Sequence, residues 1–340
     1  METSLKANIA EKPISKEDVD NEDMKFYDDV SYMIGQTPLV RLQNLNPYPG
    51  ITLLAKIESV NPGGSVKDRI AKYMIDDAIT RGLLTKDKTV IEATSGNTGI
   101  GIAMMCAIRG FKCELVMPES MSIERRKIMA AYGATVTLTP EELGMDGAQD
   151  YVNEKLEESP DRYFSPNQYD NPLNWTAHYQ TTAQEIFDDT DGMITHFVTG
   201  LGTSGTLMGV AKGLKEKNPR VKIVSVEPEI GTQIQGLKDL KTQYIPGIFD
   251  ENLLDQRIYI DQISAECYTR NLATHEGIFA GQSAGAALAG ALTLARTLHI
   301  QQVQDAIVVV LFADSGYKYI SSELFSAEEQ ESCVCSSTVF

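Results

Sequence analysis

Short apolar, β-branched runs recur along the chain at 51–57 (ITLLAKI), 89–93 (TVIEA), 112–117 (KCELVM), 134–138 (ATVTL), 194–198 (ITHFV), 221–226 (VKIVSV) and 306–312 (AIVVVLF). Segments of helical period lie between most of them. Strands that are apolar on both faces and alternate with helices predict an α/β fold, with mostly parallel sheets covered on each side by helices. Gly-rich turns follow several of the runs, and such turns are where open α/β sheets bind ligands. A stretch rich in Pro, Asn and Asp, SPDRYFSPNQYDNPLNWTAHY at 159–179, breaks the alternation and marks a change of domain.

With 340 residues, 42% of them hydrophobic, the chain is long enough for two domains or one large α/β unit. A formal net charge of −17 argues against nucleic acid or an anionic membrane as the main partner. No apolar run approaches the roughly 18 residues a membrane span needs, and the start lacks the basic-then-apolar order of a signal peptide, so a cytoplasmic protein is expected. Residues 1–29 read as a polar leader and 327–340 as a mobile tail. Cysteines 106, 113, 267, 333 and 335 have no metal-ligand spacing, and reduced thiols are expected. The four histidines show no metal spacing either; His196 reads as a strand residue and His178, His275 and His299 as surface or loop positions.

TGLGTSGT, 199–206, carries the spacing G-x-G-x-x-G at Gly200, Gly202 and Gly205, and the following apolar run ends at Glu227. Any phosphate at a strand-to-helix turn asks for close backbone approach and N–H groups at a helix start. The glycines alone leave a dinucleotide fingerprint and a phosphate cup for another cofactor both open.

Three further stretches bear on the choice. In NPGGSVKDR, 61–69, a Pro-Gly-Gly turn with Ser65 as a possible cap starts a helix, which puts Lys67 in its first turn. A partly buried amine facing the positive end of a helix dipole gives up its proton readily, as a Schiff-base lysine requires; the plain alternative is a solvated surface lysine. In EATSGNTGIGIAMM, 92–105, hydroxyls, an amide and backbone N–H groups gather at one helix start, suited to a carboxylate or phosphate or simply a well-capped turn. In EGIFAGQSAGAALAGAL, 276–292, Ser283 opens a small-residue helix, as a cap or as a partner for a ring nitrogen.

Taken in order, GQTPLVRL, NPGGSVKDR, TSGNTGIGIA, MSIERRKIMAAYGA, NQYDNPLN, GLGTSGT and GIFAGQSAGAAL resemble the cysteine synthase group, the O-acetylserine and O-phosphoserine sulfhydrylases. These are pyridoxal-phosphate enzymes of fold type II, with the fold of the tryptophan synthase β-subunit and two three-layer domains. The resemblance runs from about Tyr32 to Phe325. It implies that Lys67 holds pyridoxal 5′-phosphate as a Schiff base, and that Gly202, Thr203, Ser204, Gly205 and Thr206 cup its phosphate. It places Asn97 against the phenolic oxygen and Ser283 beside the pyridine nitrogen. It places Thr94, Ser95, Gly96, Thr98 and Gln168 around the substrate's α-carboxylate. The dinucleotide reading leaves Lys67, Asn97 and Ser283 without a role.

The implied reaction is β-replacement on an activated serine, through an α-aminoacrylate, by sulfide, thiosulfate or a protein thiocarboxylate, giving L-cysteine. The implied domains are 52–165, with a mobile substrate-binding part at about 96–133, and 30–51 with 166–326, which binds the cofactor phosphate. A homodimer is implied as well, with a serine acetyltransferase or a sulfur-carrier protein as possible partner. A phosphate leaving group asks for an extra cation, and Lys238 after the QGL stretch is the candidate, which favours O-phosphoserine over O-acetylserine. The O-phosphoserine branch usually carries Arg there, and Lys238 with Lys241 would also make an ordinary solvated pair. Two alternatives stand beside this reading: a cystathionine β-synthase-like replacement with a larger thiol or amine nucleophile, and a non-catalytic binding partner. A tail that folds into the cleft with Phe340 in an apolar pocket is a further hypothesis.

Overall fold

The apolar runs become strands because neighbouring as well as alternate side chains are taken out of water; in Ala306–Phe312 only Ile307 retains partial exposure. The computed structural model describes residues 26–326, so the leader before Phe26 and the tail expected at 327–340 fall outside the described residues. In chain order the strands are β1 (Leu39–Arg41), β2 (Ile51–Ile57), β3 (Thr89–Ala93), β4 (Lys112–Pro118), β5 (Thr135–Thr139), β6 (Tyr163–Phe164), β7 (His196–Gly200), β8 (Lys222–Pro228), β9 (Gln256–Ile260) and β10 (Ala306–Phe312). The helices are α1 (Lys67–Thr80), α2 (Asn97–Arg109), α3 (Ile123–Ala131), α4 (Gly144–Glu158), α5 (Leu173–Gln180), α6 (Thr182–Asp189), α7 (Gly205–Lys217), α8 (Gln262–Glu276) and α9 (Gln282–Ile300).

Two sheets result, ordered β1-β2-β10-β7-β8-β9 and β5-β4-β3-β6. All pairings are parallel except β1 with β2. In the larger sheet, α9 with α8 behind it covers one face, and α7 with α5 and α6 covers the other, giving two apolar layers. In the smaller sheet, α2 with α1 and α3 covers one face and α4 the other. Two three-layer α/β units are therefore present, as the alternation predicts.

The three strands without a counterpart in the sequence reading, β1, β6 and β9, all lie at sheet edges. They are short and only half-buried, so they carry little of the continuous apolar signal of a central strand. A second difference concerns β2. A domain running from residue 52 to 165 would include it, yet β2 pairs residue by residue with β10 in the larger sheet, from Ile51↔Ala306 to Ile57↔Phe312. The chain thus leaves the larger sheet after β2, builds the smaller one, and returns at β7. Asp29, which the sequence reading put in the leader, caps the turn Val30–Met33 and pairs with Arg109 at 2.8 Å.

Cys106 and Cys113 are free and buried in the smaller unit. Among the described cysteines, Cys106 and Cys113 meet the expectation of reduced thiols, whereas Cys267 on α8 is disulfide-bonded and corrects it. No described helix is long and apolar enough to cross a membrane.

A buried ionic knot fixes the start of α1. Arg69 grips Glu58 through Nε and Nη2, each at 2.8 Å, and Glu185 on α6 at 2.6 and 2.7 Å. Lys56 at the end of β2 meets the same Glu185 at 2.9 Å. The knot joins the strand exit, the helix that begins at Lys67, and the opposite helical layer.

Candidate functional site

Ligands of open α/β sheets collect beyond the carboxyl ends of the strands, where neighbouring strands lead off in opposite directions. β7 is such a point in the larger sheet, with β8 on one side and β10 on the other, and β3 is the corresponding point in the smaller, between β4 and β6. One cleft opens across both. Every residue assigned a role from the sequence lines it: Lys67, Thr94, Ser95, Gly96, Asn97, Thr98, Gln168, Gly202, Thr203, Ser204, Gly205, Thr206, Lys238 and Ser283.

Lys67 opens α1, as predicted, although the capping position is Val66 and not Ser65. The Lys67 N–H donates to the Ser65 hydroxyl at 3.3 Å. The Val66 N–H donates to the carbonyl of Ala313 at 2.9 Å, so the exit of β10 holds this turn in place. Burial lowers the Lys67 amine to about 8, against the opposing pull of the Asp314 carboxylate. Much more of the nucleophilic free amine is present near neutrality than in an ordinary lysine.

The turn after β3 ends in Gly96, which offers α2 no side-chain cap, so the N-terminus of this 13-residue helix faces the cleft. Thr98 donates its hydroxyl to Gln168 Oε1 at 2.7 Å, which joins the turn to the 165–168 segment. That segment hangs on Glu92 of β3, whose carboxylate accepts from Ser165 Oγ at 2.8 Å and from the Asn167 and Gln168 N–H groups at 3.1 Å. Burial raises the Glu92 carboxyl, and these three donors work against the rise.

The loop after β7 is built for an anion. Ser204 stands at φ +68° in the left-handed region, a strained setting for a residue with a side chain, and its buried hydroxyl has no partner among the described residues. It precedes α7, which no side chain caps. Gly202 has to be glycine because a Cβ would lie 2.7 Å from the carbonyl oxygen of Gly236, and at Gly205 the amide of Asn174 fills the space. Asn174 Nδ2 donates to the Gln168 carbonyl at 2.6 Å and to Thr203 Oγ1 at 3.0 Å, so one amide joins the two walls of the cleft.

His178 corrects the sequence reading. It is fully buried on α5, between Thr206 Oγ1 at 3.1 Å and Thr182 Oγ1 at 2.9 Å. Burial above all, then the charges of Arg69 and Lys67, holds it well below the usual imidazole range, so it stays neutral. Its helical register beside Asn174 was the available signal, hidden by the Pro and Asn around it.

Lys238 sits half-buried with its ammonium 4.3 Å from the Tyr169 ring centroid. Burial lowers its pKa, opposed by Asp146. Ser283 lies in the first turn of α9 beside the capping Gly281. The sequence reading gave no role to Arg125 and Tyr319, which also line the cleft, although Arg125 falls within MSIERRKIMAAYGA. The Arg125 guanidinium stacks 4.8 Å from the Tyr319 ring centroid and donates to Gln235 Oε1 at 3.2 Å.

An orphaned hydroxyl, two glycines with no room for a side chain, an uncapped helix start and a lysine with a depressed pKa fit a phosphate-bearing cofactor that bonds to an amine. Residues 30–314 match the family model of pyridoxal-phosphate dependent enzymes. The chain belongs to this family. A cysteine synthase of Aquifex aeolicus (strain VF5) is 44% identical over 301 residues, which cover 87% of this chain and 92% of that relative. An O-ureido-L-serine synthase of Streptomyces lavendulae is 39% identical over 320 residues, covering 91% and 96%. Among solved structures, a cysteine synthase from Entamoeba histolytica superposes with a TM-score of 0.84 at 35% identity, covering 93% of this chain and 97% of that one. The protein is thus an enzyme that uses pyridoxal 5′-phosphate, and its fold is that of the cysteine synthases.

Proposed function

We propose that the protein is a cysteine synthase that replaces the β-substituent of an activated serine with sulfur, and that it prefers O-phosphoserine to O-acetylserine. The observation that carries the reading is the convergence of Lys67, the 94–98 turn with Gln168, and the 202–206 loop on one cleft. When bound, pyridoxal phosphate supplies an electron-withdrawing ring conjugated to the substrate's amine, which acidifies the Cα proton and lets the Cβ group leave. Lys67 would hold the cofactor through its amine, and that amine, neutral at mildly alkaline pH, would serve as the base for the Cα proton. Thr94, Ser95, Gly96, Thr98 and Gln168 bind the α-carboxylate at the N-terminus of α2. Gly202, Thr203, Ser204, Gly205 and Thr206 would hold the cofactor's phosphate, which would give the Ser204 hydroxyl a partner. Asn97 would serve the phenolic oxygen. Ser283 would give the ring nitrogen an uncharged partner, which favours β-elimination over transamination. The walls of the cleft keep water from the reacting Cβ, with 96–133 as the part that closes.

Preference for the phosphate ester rests on Lys238. An ammonium in the cleft wall over Tyr169 supports this reading, as the cation a second phosphate would need. The O-ureido-L-serine synthase among the relatives favours one further reading, replacement by a nucleophile larger than sulfide.

Adding each ester separately to the holoenzyme, and following the cofactor's visible absorbance and then cysteine formation with sulfide, tests the proposal. Conversion with O-phosphoserine ahead of O-acetylserine is expected. Lys238→Met should lower kcat/KM for O-phosphoserine by about 10- to 100-fold, the worth of one charge-assisted hydrogen bond, and leave O-acetylserine unaffected. Equal loss with both esters removes Lys238 from donor choice. Cysteine from neither ester, with product formed from another nucleophile, replaces the cysteine synthase reading.

A further inference from the structure

Behind the cleft, Lys318 and Asp314 form a buried pair of charges to which neither the sequence nor the proposed reaction gives a task; Lys318 is 5% exposed and Asp314 1%. Asp314 follows β10, where the backbone bridges Ser65, and Lys318 lies in the short turn Gly316–Tyr319. The Lys318 ammonium spends its three hydrogens on the carbonyls of Gly63 at 3.1 Å and Gly64 at 3.0 Å, and on Asn97 Oδ1 at 2.7 Å. The other end of the same amide, Asn97 Nδ2, donates to Asp314 Oδ2 at 2.7 Å, an oxygen that also accepts from the Tyr319 hydroxyl at 2.8 Å.

Turned over, the Asn97 amide would set its N–H groups against an ammonium and its oxygen against a carboxylate. Only one orientation is possible between two such charges. Asn97 Nδ2 has a second hydrogen, and Asn97 lines the cleft. The same ammonium also holds the Gly63–Gly64 turn that leads into Lys67. We propose that Lys318, with Asp314 as its counterpart, is a positioning residue that fixes Asn97 so that it offers the cofactor a donor and never an acceptor. One ammonium thereby sets the Asn97 turn and the Lys67 turn in register with each other. The inference rests on the family's cofactor and not on the choice of serine ester, so the donor experiment and this one can fail separately.

The test uses holoenzyme carrying Lys318→Met or Lys318→Gln, each alone and with Asn97→Ala, and reads the bound cofactor's absorption maximum and dissociation constant. Lys318→Met is expected to shift the absorption maximum and weaken cofactor binding about tenfold. Lys318→Gln, which keeps an N–H donor for Asn97 Oδ1, is expected to recover most of both. Lys318→Met in the Asn97→Ala background should have a clearly smaller effect on both, because the amide it orients is gone and only its hold on the Gly63–Gly64 turn remains to be lost. An unshifted spectrum with an unchanged dissociation constant in Lys318→Met overturns the proposal, and so does a Lys318→Met effect of equal size with and without Asn97. If Lys318→Met does not fold, Asp314→Ala replaces it and acts on the other end of the amide. A spectral shift that Asp314→Ala causes only when Asn97 is present then supports the proposal, and an equal shift in the Asn97→Ala background overturns it.

Discussion

Replacing Gly202 by alanine sets a methyl group against a backbone atom that has nowhere to rotate. The added carbon would stand 2.7 Å from the Gly236 carbonyl oxygen, whereas a carbon and an oxygen rest about 3.4 Å apart, so one of the two loops must yield by about 0.7 Å. Two features resist the movement. Gly236 is held at φ +89°, and Lys238 N–H donates to the Leu201 carbonyl at 2.8 Å, which ties the two loops together close to the contact. Overpacking of this kind costs about 1–3 kcal/mol. If the strain falls on the cofactor-bound form, the dissociation constant of pyridoxal phosphate rises by about 5- to 150-fold. If the free protein already carries it, the loss appears instead as a lower unfolding free energy. Titrating the apoprotein with cofactor by visible absorbance, together with urea unfolding of the apoprotein, captures both. A Gly202→Ala variant with wild-type values in both measurements would refute the close-approach argument.

Other outcomes follow from the charges. Cofactor capture by Lys67 should accelerate as pH rises and level off above about 8, because burial sets the amine there; a stopped-flow rate still climbing at pH 10 would place the amine in the ordinary lysine range. Burial raises Asp68 to about 7, so the folded protein retains its proton where the unfolded chain has lost it, and this carboxyl's contribution to stability falls as pH rises from about 4 to 7. Asp68→Asn should therefore gain stability relative to wild type at pH 7.5 and little at pH 4, measured by urea unfolding at each pH. Arg69→Met leaves Glu58 buried without its partner and should cost about 3–5 kcal/mol of unfolding free energy; a loss below about 1 kcal/mol would mean that Lys56 and Thr37 suffice to hold the knot.

The central strands, the parallel sheets and the residues of the cleft were legible in the chain because they depend on local chemistry. A strand buried on both faces has to be apolar throughout, as in Val308–Leu311, and a loop around a phosphate has to be Gly- and hydroxyl-rich, as in Gly202–Thr206. A helix that starts at Lys67 announces itself by the Pro-Gly-Gly turn before it. What the sequence could not carry is pairing at a distance. β2 looks like any other apolar run, and only its match with β10, some 250 residues later, assigns it to the larger sheet. His178 looks like a surface histidine until Thr206 and Thr182 close around it. Lys318 and Asp314 are two more charges in an acidic chain until folding brings both onto the Asn97 amide, 221 and 217 residues away. Composition and spacing can report what one segment needs for itself. The partners of a buried charge are supplied by other segments, and only the packed structure decides which ones they are.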